Sequence, residues 1–306
     1  MISYILTILV GLTSPLQTAV NSRLRTAVGD ATVAAFISFS VGTLILLAVF
    51  FISGEYRLFS LPTIAAVPWW CWMGGICGVI FVATIMPLFK AIGSVQSMVL
   101  PIFGQIVSSI IIDNYGWLGM PQHSVTPIRL IGMVLVFVGV IMIVVVPNIK
   151  ELRTSASKNI VLWQIYGVIL GVIMTFNTVS TGNLGVHLNS TIMATTFAFI
   201  IGTILLKVIC LSRRKLSNAL RLFNKENPWW IGLGGVFGAI LIGGYTYLIP
   251  IIGVGALAVL ALLGQMIISL FIDKFGLFEA EKKPVGWAQI AGVVVMLVGV
   301  TCINLL

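Results

Sequence analysis

Apolar residues run along this chain in ten long blocks, and short polar or glycine-containing stretches separate each block from the next. Each block is about 17–22 residues long, the length that an α-helix needs to cross a hydrocarbon core of ~30 Å. The blocks do not alternate apolar and polar residues, as the strands of a membrane β-barrel do. The pattern therefore predicts an all-α integral membrane protein with ten transmembrane helices, near residues 2–21, 32–52, 67–87, 94–112, 128–147, 161–182, 191–211, 229–249, 254–272 and 286–306.

The first block could be mistaken for a secretion signal because of its position. It has no basic segment before the apolar run and no small-x-small cleavage site. Ser14, Gln17 and Asn21 also fall where the apolar stretch of a signal should continue. We therefore expect this block to remain as the first membrane helix.

The composition supports a membrane protein. Of the 306 residues, 59% are hydrophobic and only 8% are charged, whereas soluble domains carry about 25% charged residues. The net charge of +9 could suggest nucleic-acid binding, but the positions of the basic residues explain it. When the loops are numbered alternately on two sides, only Arg57 and Arg129 of the 17 lysines and arginines fall on one side.

Cytoplasmic loops carry this kind of excess of lysine and arginine. The bias predicts both termini outside and the 212–227 loop in the cytoplasm. The expected surroundings are membrane lipid, and no nucleic-acid partner is expected.

The sequence repeats itself at an offset of 160 residues without a gap. The matched motifs are Phe39-x-x-Gly42-Thr43 with Phe199-x-x-Gly202-Thr203, Pro68-Trp69-Trp70 with Pro228-Trp229-Trp230, Gly74-Gly75-x-x-Gly78 with Gly234-Gly235-x-x-Gly238, Gly104-Gln105 with Gly264-Gln265, and Ile112-Asp113-x-x-Gly116 with Ile272-Asp273-x-x-Gly276. Each copy carries five predicted helices, an odd number, so the second copy must enter the membrane inverted. Inverted repeats are a recurring design of secondary transporters. We predict repeats at 1–147 and 161–306, joined by a cytoplasmic linker at 148–160.

These motifs, together with Q-T-x-x-N-x-x-L from Gln17 to Leu24, resemble the YdcZ-type branch of the drug/metabolite transporter superfamily. The resemblance covers essentially the whole chain, as two fused five-helix copies. It implies a ten-helix bundle in a bacterial inner membrane and the export of small molecules. In the second copy, Asn177 and Thr181 replace Gln17 and Asn21, so the first copy matches this motif better.

Polar side chains in the first and sixth helices are the first candidates for a substrate path. Gln17 and Asn21 are four residues apart and share one helix face, and Pro15 removes a backbone donor nearby. Asn177 and Thr181 are their counterparts. Such residues face either a wet cavity or other helices, and interhelical hydrogen bonding is the alternative interpretation.

A second polar stripe runs along the fourth and ninth helices. Gln105 and Gln265 are candidates for the path, and Pro101 precedes Gln105 by one turn. Asp113 and Asp273 fall at helix C-terminal ends, where the helix dipole disfavours negative charge. A base such as Arg129, or a hydrogen bond to a neighbouring loop, must compensate, and a structural helix stop is favoured over a binding role.

The paired glycines have a simpler interpretation. Gly74/Gly78 and Gly234/Gly238 are small-x-x-x-small pairs that let helix backbones approach closely. Packing is the default role, and a sliding surface for alternating access is the alternative.

Acidic groups are missing from the centres of the predicted helices. The five glutamates all fall in loops, at Glu55, Glu151, Glu226, Glu279 and Glu281. A proton-coupled cation carrier normally needs a titratable group in its path. A neutral polar, amphipathic or zwitterionic solute therefore fits better, with Tyr245 or Tyr247 available for apolar contact.

Nothing in the sequence indicates an enzyme. It lacks H-E-x-x-H, G-x-S-x-G and G-x-x-x-x-G-K-[ST] motifs, and His123 and His187 fall in different loops. The four cysteines form no C-x-x-C pair. We predict no catalytic residue, no metal site and no cofactor, and a carrier that exports a small solute by alternating access. A non-transporting scaffold and a passive channel remain alternatives, and the residues do not fix the oligomeric state.

Overall fold

The structure is a computed structural model that describes residues 2–123, 126–148, 160–224, 227–279, 282 and 286–304. Within these residues, nine helices are long and apolar enough to cross a membrane, and a tenth is shorter. They are α1 Ile2–Val28, α2 Ala31–Ile52, α3 Trp69–Phe89, α4 Gln96–Tyr115, α5 Pro127–Val144, α6 Ile160–His187, α7 Thr191–Ser212, α8 Trp229–Ile252, α9 Val254–Phe275 and α10 Trp287–Asn304. The all-α fold with ten membrane helices is confirmed. Of the predicted linker, residues 149–159 lie outside the described part.

One glycine in each repeat breaks the chain at the same place. Gly93, between α3 and α4, has φ 79° and ψ 175°. Gly253, between α8 and α9, has φ 82° and ψ 170°. This backbone region is essentially restricted to glycine. The two copies therefore share a hinge geometry as well as sequence motifs.

Contacts between matched residues show that an approximate two-fold axis relates the two repeats. The hydroxyl oxygens of Thr43 in α2 and Thr203 in α7 lie 2.8 Å apart. The ring centroids of Phe39 and Phe199 are 5.1 Å apart. A residue can touch its own counterpart only where the symmetry axis passes between them. The axis therefore runs between α2 and α7, and it relates the two five-helix copies as an inverted repeat.

Helices α5 and α10 cross on glycines that are also matched by the repeat. A Cβ added at Gly132 would lie 2.6 Å from the Gly299 carbonyl oxygen, and one added at Gly139 would lie 2.6 Å from that of Gly292. Gly132 and Gly292 are counterparts, as are Gly139 and Gly299. Small residues thus let these two backbones touch, as is common in membrane bundles.

Helix α1 continues through Pro15 to Val28, seven residues beyond the predicted end. A buried stripe at spacing four runs into the extension, because Val20, Leu24 and Val28 are all fully buried. The charged Arg23 in this extension pairs with Glu279, with 2.6 Å between Nε and Oε2. Tertiary packing and an ion pair therefore keep this polar segment helical.

Side-chain contacts group the loops at two ends of the bundle. At one end, the Arg23–Glu279 pair joins α1 to the segment after α9. Lys215 also pairs with Asp30 there, with 2.5 Å between Nζ and Oδ2. At the other end, Ser190 donates a hydrogen bond to Glu55. This grouping agrees with the alternating loops predicted from the basic residues.

Asp30 caps the start of α2. Its Oδ1 accepts hydrogen bonds from the N–H groups of Thr32 at 2.8 Å and Val33 at 3.2 Å. Burial alone would raise the pKa of this carboxyl, but the hydrogen bonds from Lys215 and these two N–H groups outweigh it and hold the pKa below its ordinary value of 3.8. Asp30 is therefore an ionised structural cap at neutral pH.

Candidate substrate cavity

A small polar cavity lies among α4, α6, α8 and α9. It offers about 30 Å³ to the centres of water-sized molecules, and one water needs at least about 10–15 Å³ by this measure, so the cavity is about the size of two waters. The residues that line it are Gln105, Thr175, Thr178, Tyr245, Val254, Leu257, Ala258, Ala261 and Gln265. Amide, hydroxyl and phenol groups thus face an apolar wall contributed by α9.

The two glutamines predicted for the path lie at this cavity together. Gln105 comes from α4 and Gln265 from α9, and the two are counterparts in the repeat. Gln265 Nε2 donates a hydrogen bond to the Tyr245 hydroxyl oxygen at 3.2 Å. The structure therefore brings one polar group from each copy to a shared site near the middle of the bundle.

Glycines set how closely the surrounding helices approach. A Cβ added at Gly171 of α6 would overlap the carbonyl oxygen of Pro101 and lie 2.8 Å from the backbone nitrogen of Gln105. A Cβ at Gly11 of α1, the counterpart of Gly171, would overlap the Ala261 carbonyl oxygen. Helices α4 and α9, which carry Gln105 and Gln265, therefore each cross a neighbouring helix backbone-to-backbone within about one turn of the glutamine.

Hydroxyl groups extend the polar lining between α4 and α6. The oxygen atoms of Ser108 and Thr175 lie 2.8 Å apart, and Ser108 also donates to the Gly104 carbonyl oxygen at 2.7 Å. Thr175 is buried, with 5% of its surface exposed. Thr175 and Thr178 line the cavity, and no local signal in the sequence distinguishes them from the other hydroxyl residues of the sixth helix.

The other polar candidates of the first copy lie against the glycine pair of α8. A Cβ added at Gly238 would lie 2.5 Å from Gln17 Nε2. A Cβ added at Gly234 would overlap Asn21 Oδ1. The polar face of α1 therefore packs directly on the small face of α8.

The second copy repeats this contact between α6 and α3. Asn177 Nδ2 donates a hydrogen bond to the Gly74 carbonyl oxygen at 2.7 Å. A Cβ at Gly78 would lie 3.2 Å from the same nitrogen, and a Cβ at Gly74 would overlap the Thr181 hydroxyl oxygen. The polar motif and the glycine motif are two halves of one helix contact, and a place for these polar groups in the substrate path stays a prediction.

The two aspartates lie at opposite ends of α9. Asp113 at the end of α4 is 1% exposed and accepts hydrogen bonds from the N–H groups of Val254 and Gly255 at the start of α9. Asp273 is half-buried near the end of α9. The 20 residues from Val254 to Asp273 span roughly 28 Å of helix. The aspartates therefore belong to separate sites.

Metal binding has no support in the part of the chain that the structure describes. No cluster of three or more His, Cys, Asp or Glu side chains there could hold a metal ion. The polar groups at the cavity are neutral amides and hydroxyls. Their chemistry suits hydrogen bonding to a solute.

Comparison with known proteins identifies the family. A family model described as "Putative inner membrane exporter, YdcZ" matches the chain twice, at residues 2–142 and 162–302. The chain belongs to the YdcZ family. The resemblance drawn from the repeated motifs is thus confirmed, and membership of the YdcZ family makes this a multi-pass inner-membrane protein of a transporter family.

The fold of this YdcZ protein also occurs among solved structures. A structure titled "Crystal structure of protein" aligns with a TM-score of 0.70 over 99% of this chain and 96% of that chain. The two sequences are 15% identical, so the likeness shows the fold alone. No curated protein matches the sequence.

Proposed function

We propose that this protein is a secondary transporter that exports a small neutral polar or amphipathic solute by alternating access. The solute site is the cavity among α4, α6, α8 and α9. The observation that carries the proposal is the meeting of Gln105 and Gln265, one from each inverted copy, at one polar cavity. Substrate sites at the interface of inverted repeats are the usual arrangement in secondary transporters.

The lining supports an uncharged or zwitterionic solute. Gln105, Gln265 and Tyr245 offer hydrogen-bond donors and acceptors, and Leu257 and Ala261 offer apolar surface. An amide carries both a donor and an acceptor, so it can pair with hydroxyl, amide or carbonyl groups of a solute. An isolated cation would lose its hydration without gaining a counter-charge from these groups.

The size of the cavity supports a mechanism that involves helix movement. A space for about two waters is too small for a metabolite, so the helices around it must separate to admit one. The inverted repeat supplies two equivalent ways to do so, because each copy can adopt the arrangement that the other has. Opening then alternates between the two ends of the bundle.

The charge distribution supports an orientation with both termini outside. Arg23 and Lys215 lie at one end of the bundle, and Arg129 lies at the opposite end. The order of loops in the sequence assigns most of the other lysines and arginines to the Arg23 side. By the positive-inside rule, the Arg23 end is cytoplasmic. Export then runs from the Arg23 end to the Arg129 end.

A thermal-stability screen of the purified protein tests the proposed site. The library covers cations, sugars, amino acids and amphiphiles. A ligand at 100 times its dissociation constant stabilises the fold by about 2.7 kcal/mol. We expect a stabilising solute whose effect disappears in Gln105→Leu and Gln265→Leu.

The matched control is Gln96→Leu. Gln96 lies in α4, as Gln105 does, but its side chain accepts a hydrogen bond from Gln164 at 2.8 Å and does not line the cavity. This variant should retain the ligand-induced shift. A shift retained in both cavity variants would contradict the proposed site. A complete absence of stabilising solutes would favour a non-transporting scaffold.

A further inference from the structure

Asp113 connects the end of α4 to the start of α9 at the cavity wall. Its Oδ1 accepts the Val254 N–H and its Oδ2 accepts the Gly255 N–H, both at 2.8 Å. Val254 also lines the cavity. The residue held by the carboxylate is thus part of the wall around the proposed solute site.

Arg129 adds a charge to the same point. Its Nη2 lies 3.6 Å from Asp113 Oδ2, and its side chain is only 13% exposed. Its Nη1 donates to the His123 carbonyl oxygen at 3.3 Å, and the His123 N–H donates to the Asp113 carbonyl oxygen at 2.8 Å. The start of α5 and the segment after α4 are therefore tied to the contact between α4 and α9.

The contact sits on the hinge of the second repeat. Gly253, which breaks the chain between α8 and α9, directly precedes the two residues that Asp113 holds. The His123 ring packs on this glycine, because a Cβ added there would lie 2.8 Å from His123 Cδ2. Separation of the start of α9 from the end of α4 must therefore break the hydrogen bonds of Asp113.

The two ends of the bundle differ in this feature. In the second copy, Gln289 occupies the position that matches Arg129. Its Oε1 accepts the Gly286 N–H at 2.8 Å. The Arg129 guanidinium, which forms an ion pair with Asp113, thus has no charged counterpart at the matched position.

We propose that Asp113 and Arg129, with the N–H groups of Val254 and Gly255, form a latch that closes the cavity at the Arg129 end of the bundle. The negative carboxylate is held by the positive N-terminal end of α9 and by Arg129. The latch rests on the proposed function in one respect, because it controls access to the cavity assigned there to the solute. Breaking it frees the start of α9, which Gly253 joins flexibly to α8, to move away from the end of α4 and opens the cavity toward the Arg129 end.

Thiol labelling tests the latch without any solute. The full chain carries Ala at the positions of Cys71, Cys77, Cys210 and Cys302, and Ala258→Cys places one thiol on the cavity wall. A membrane-impermeant maleimide is added to vesicles of either orientation, so that each end of the bundle is exposed in turn. The rate of labelling from the Arg129 end reports how often the cavity is open there.

Asp113→Asn should raise labelling from the Arg129 end at least tenfold. Arg129→Gln introduces the residue type that Gln289 has at the matched position of the second repeat, and it should raise the labelling rate from the Arg129 end several-fold. This variant decides the test if Asp113→Asn fails to fold. The matched control is Asp273→Asn, at the other end of α9, which should leave labelling from the Arg129 end unchanged. Unchanged rates in the Arg129 and Asp113 variants, or an equal rise in the Asp273 variant, would overturn the latch.

The outcome is separable from that of the proposed solute site. Labelling can rise in the latch variants while the solute screen fails, which would keep the latch and remove the solute site. A solute lost in the glutamine variants, with labelling unchanged in the latch variants, would keep the site and remove the latch.

Discussion

The crossing of α4 and α6 at Gly171 provides a quantitative test of the packing that shapes the cavity. In Gly171→Ala, the new Cβ would overlap the Pro101 carbonyl oxygen and lie 2.8 Å from the Gln105 nitrogen, whereas ordinary Cβ contacts begin at 3.4 Å. Both neighbours are backbone atoms of α4, so no side chain can move aside. Helix α6 must shift as a unit, away from the wall that carries Gln105.

The size of the effect follows from two opposing contributions. Overpacking a close-packed interior costs about 1–3 kcal/mol and occasionally more, and a clash with backbone belongs at the upper end. Alanine gains back up to about 1 kcal/mol over glycine through helix propensity. The net expectation is a loss of about 2 kcal/mol, or about 3 °C in unfolding temperature for a chain of 306 residues.

Gly243→Ala is the matched control for this prediction. Gly243 also lies inside a membrane helix, but the atom nearest to its added Cβ is Thr195 Oγ1 at 3.8 Å, an ordinary contact. Its unfolding temperature should stay the same or rise. The assay is thermal unfolding of purified protein in one detergent at one heating rate, and equal stability of Gly171→Ala and wild type would refute the reasoning.

Three other experiments test separate parts of the structure. Alanine at both Gln17 and Asn177 should impair flux at normal expression and lower stability by about 1 kcal/mol through the lost interhelical bond; normal flux would remove both residues from the path. In a double-mutant cycle of Thr43→Val and Thr203→Val, thermal unfolding should show a coupling of about 0.6 kcal/mol, and zero coupling would contradict a hydrogen bond between these two hydroxyl groups. Folding lowers the pKa of Asp30, so the ionised carboxylate stabilises the fold above pH ~4, and this stabilisation is lost as the pH falls through the pKa of the folded state. Asp30→Asn should therefore lose less stability than wild type between pH 6 and pH 3. Equal losses would contradict the cap.

Local patterns sufficed to predict the helices and the repeat. Membrane helices can be recognised as apolar blocks whose length matches the hydrocarbon core. The duplicated motifs, with five helices in each copy, predict an inverted repeat. The boundaries were less predictable. Helix α1 runs on past Asn21 because Val20, Leu24 and Val28 pack inside the protein and Arg23 has a partner in the segment after α9. No local signal reveals such a distant partner.

The site was predictable only in part. Gln105 and Gln265 stood out as matched polar residues, and the structure places both at the cavity. The contacts of Gln17 with Gly238 and of Asn177 with Gly74 depend on which helices become neighbours. The sequence contained both motifs, but their pairing across the two copies is a property of the assembled bundle.

Solute counterflow in proteoliposomes tests the central claim most directly. Vesicles are loaded with an unlabelled solute from the stability screen and diluted into a trace of the labelled form. A carrier that alternates between two ends releases an unlabelled solute outside, binds a labelled one there and carries it inward. The labelled solute therefore accumulates transiently inside the vesicles above its external concentration. We predict saturable counterflow that is lost in Gln105→Leu and Gln265→Leu and retained in Gln96→Leu. Label that only equilibrates, without saturation or overshoot, would show a channel, and no protein-dependent flux would contradict the transporter account.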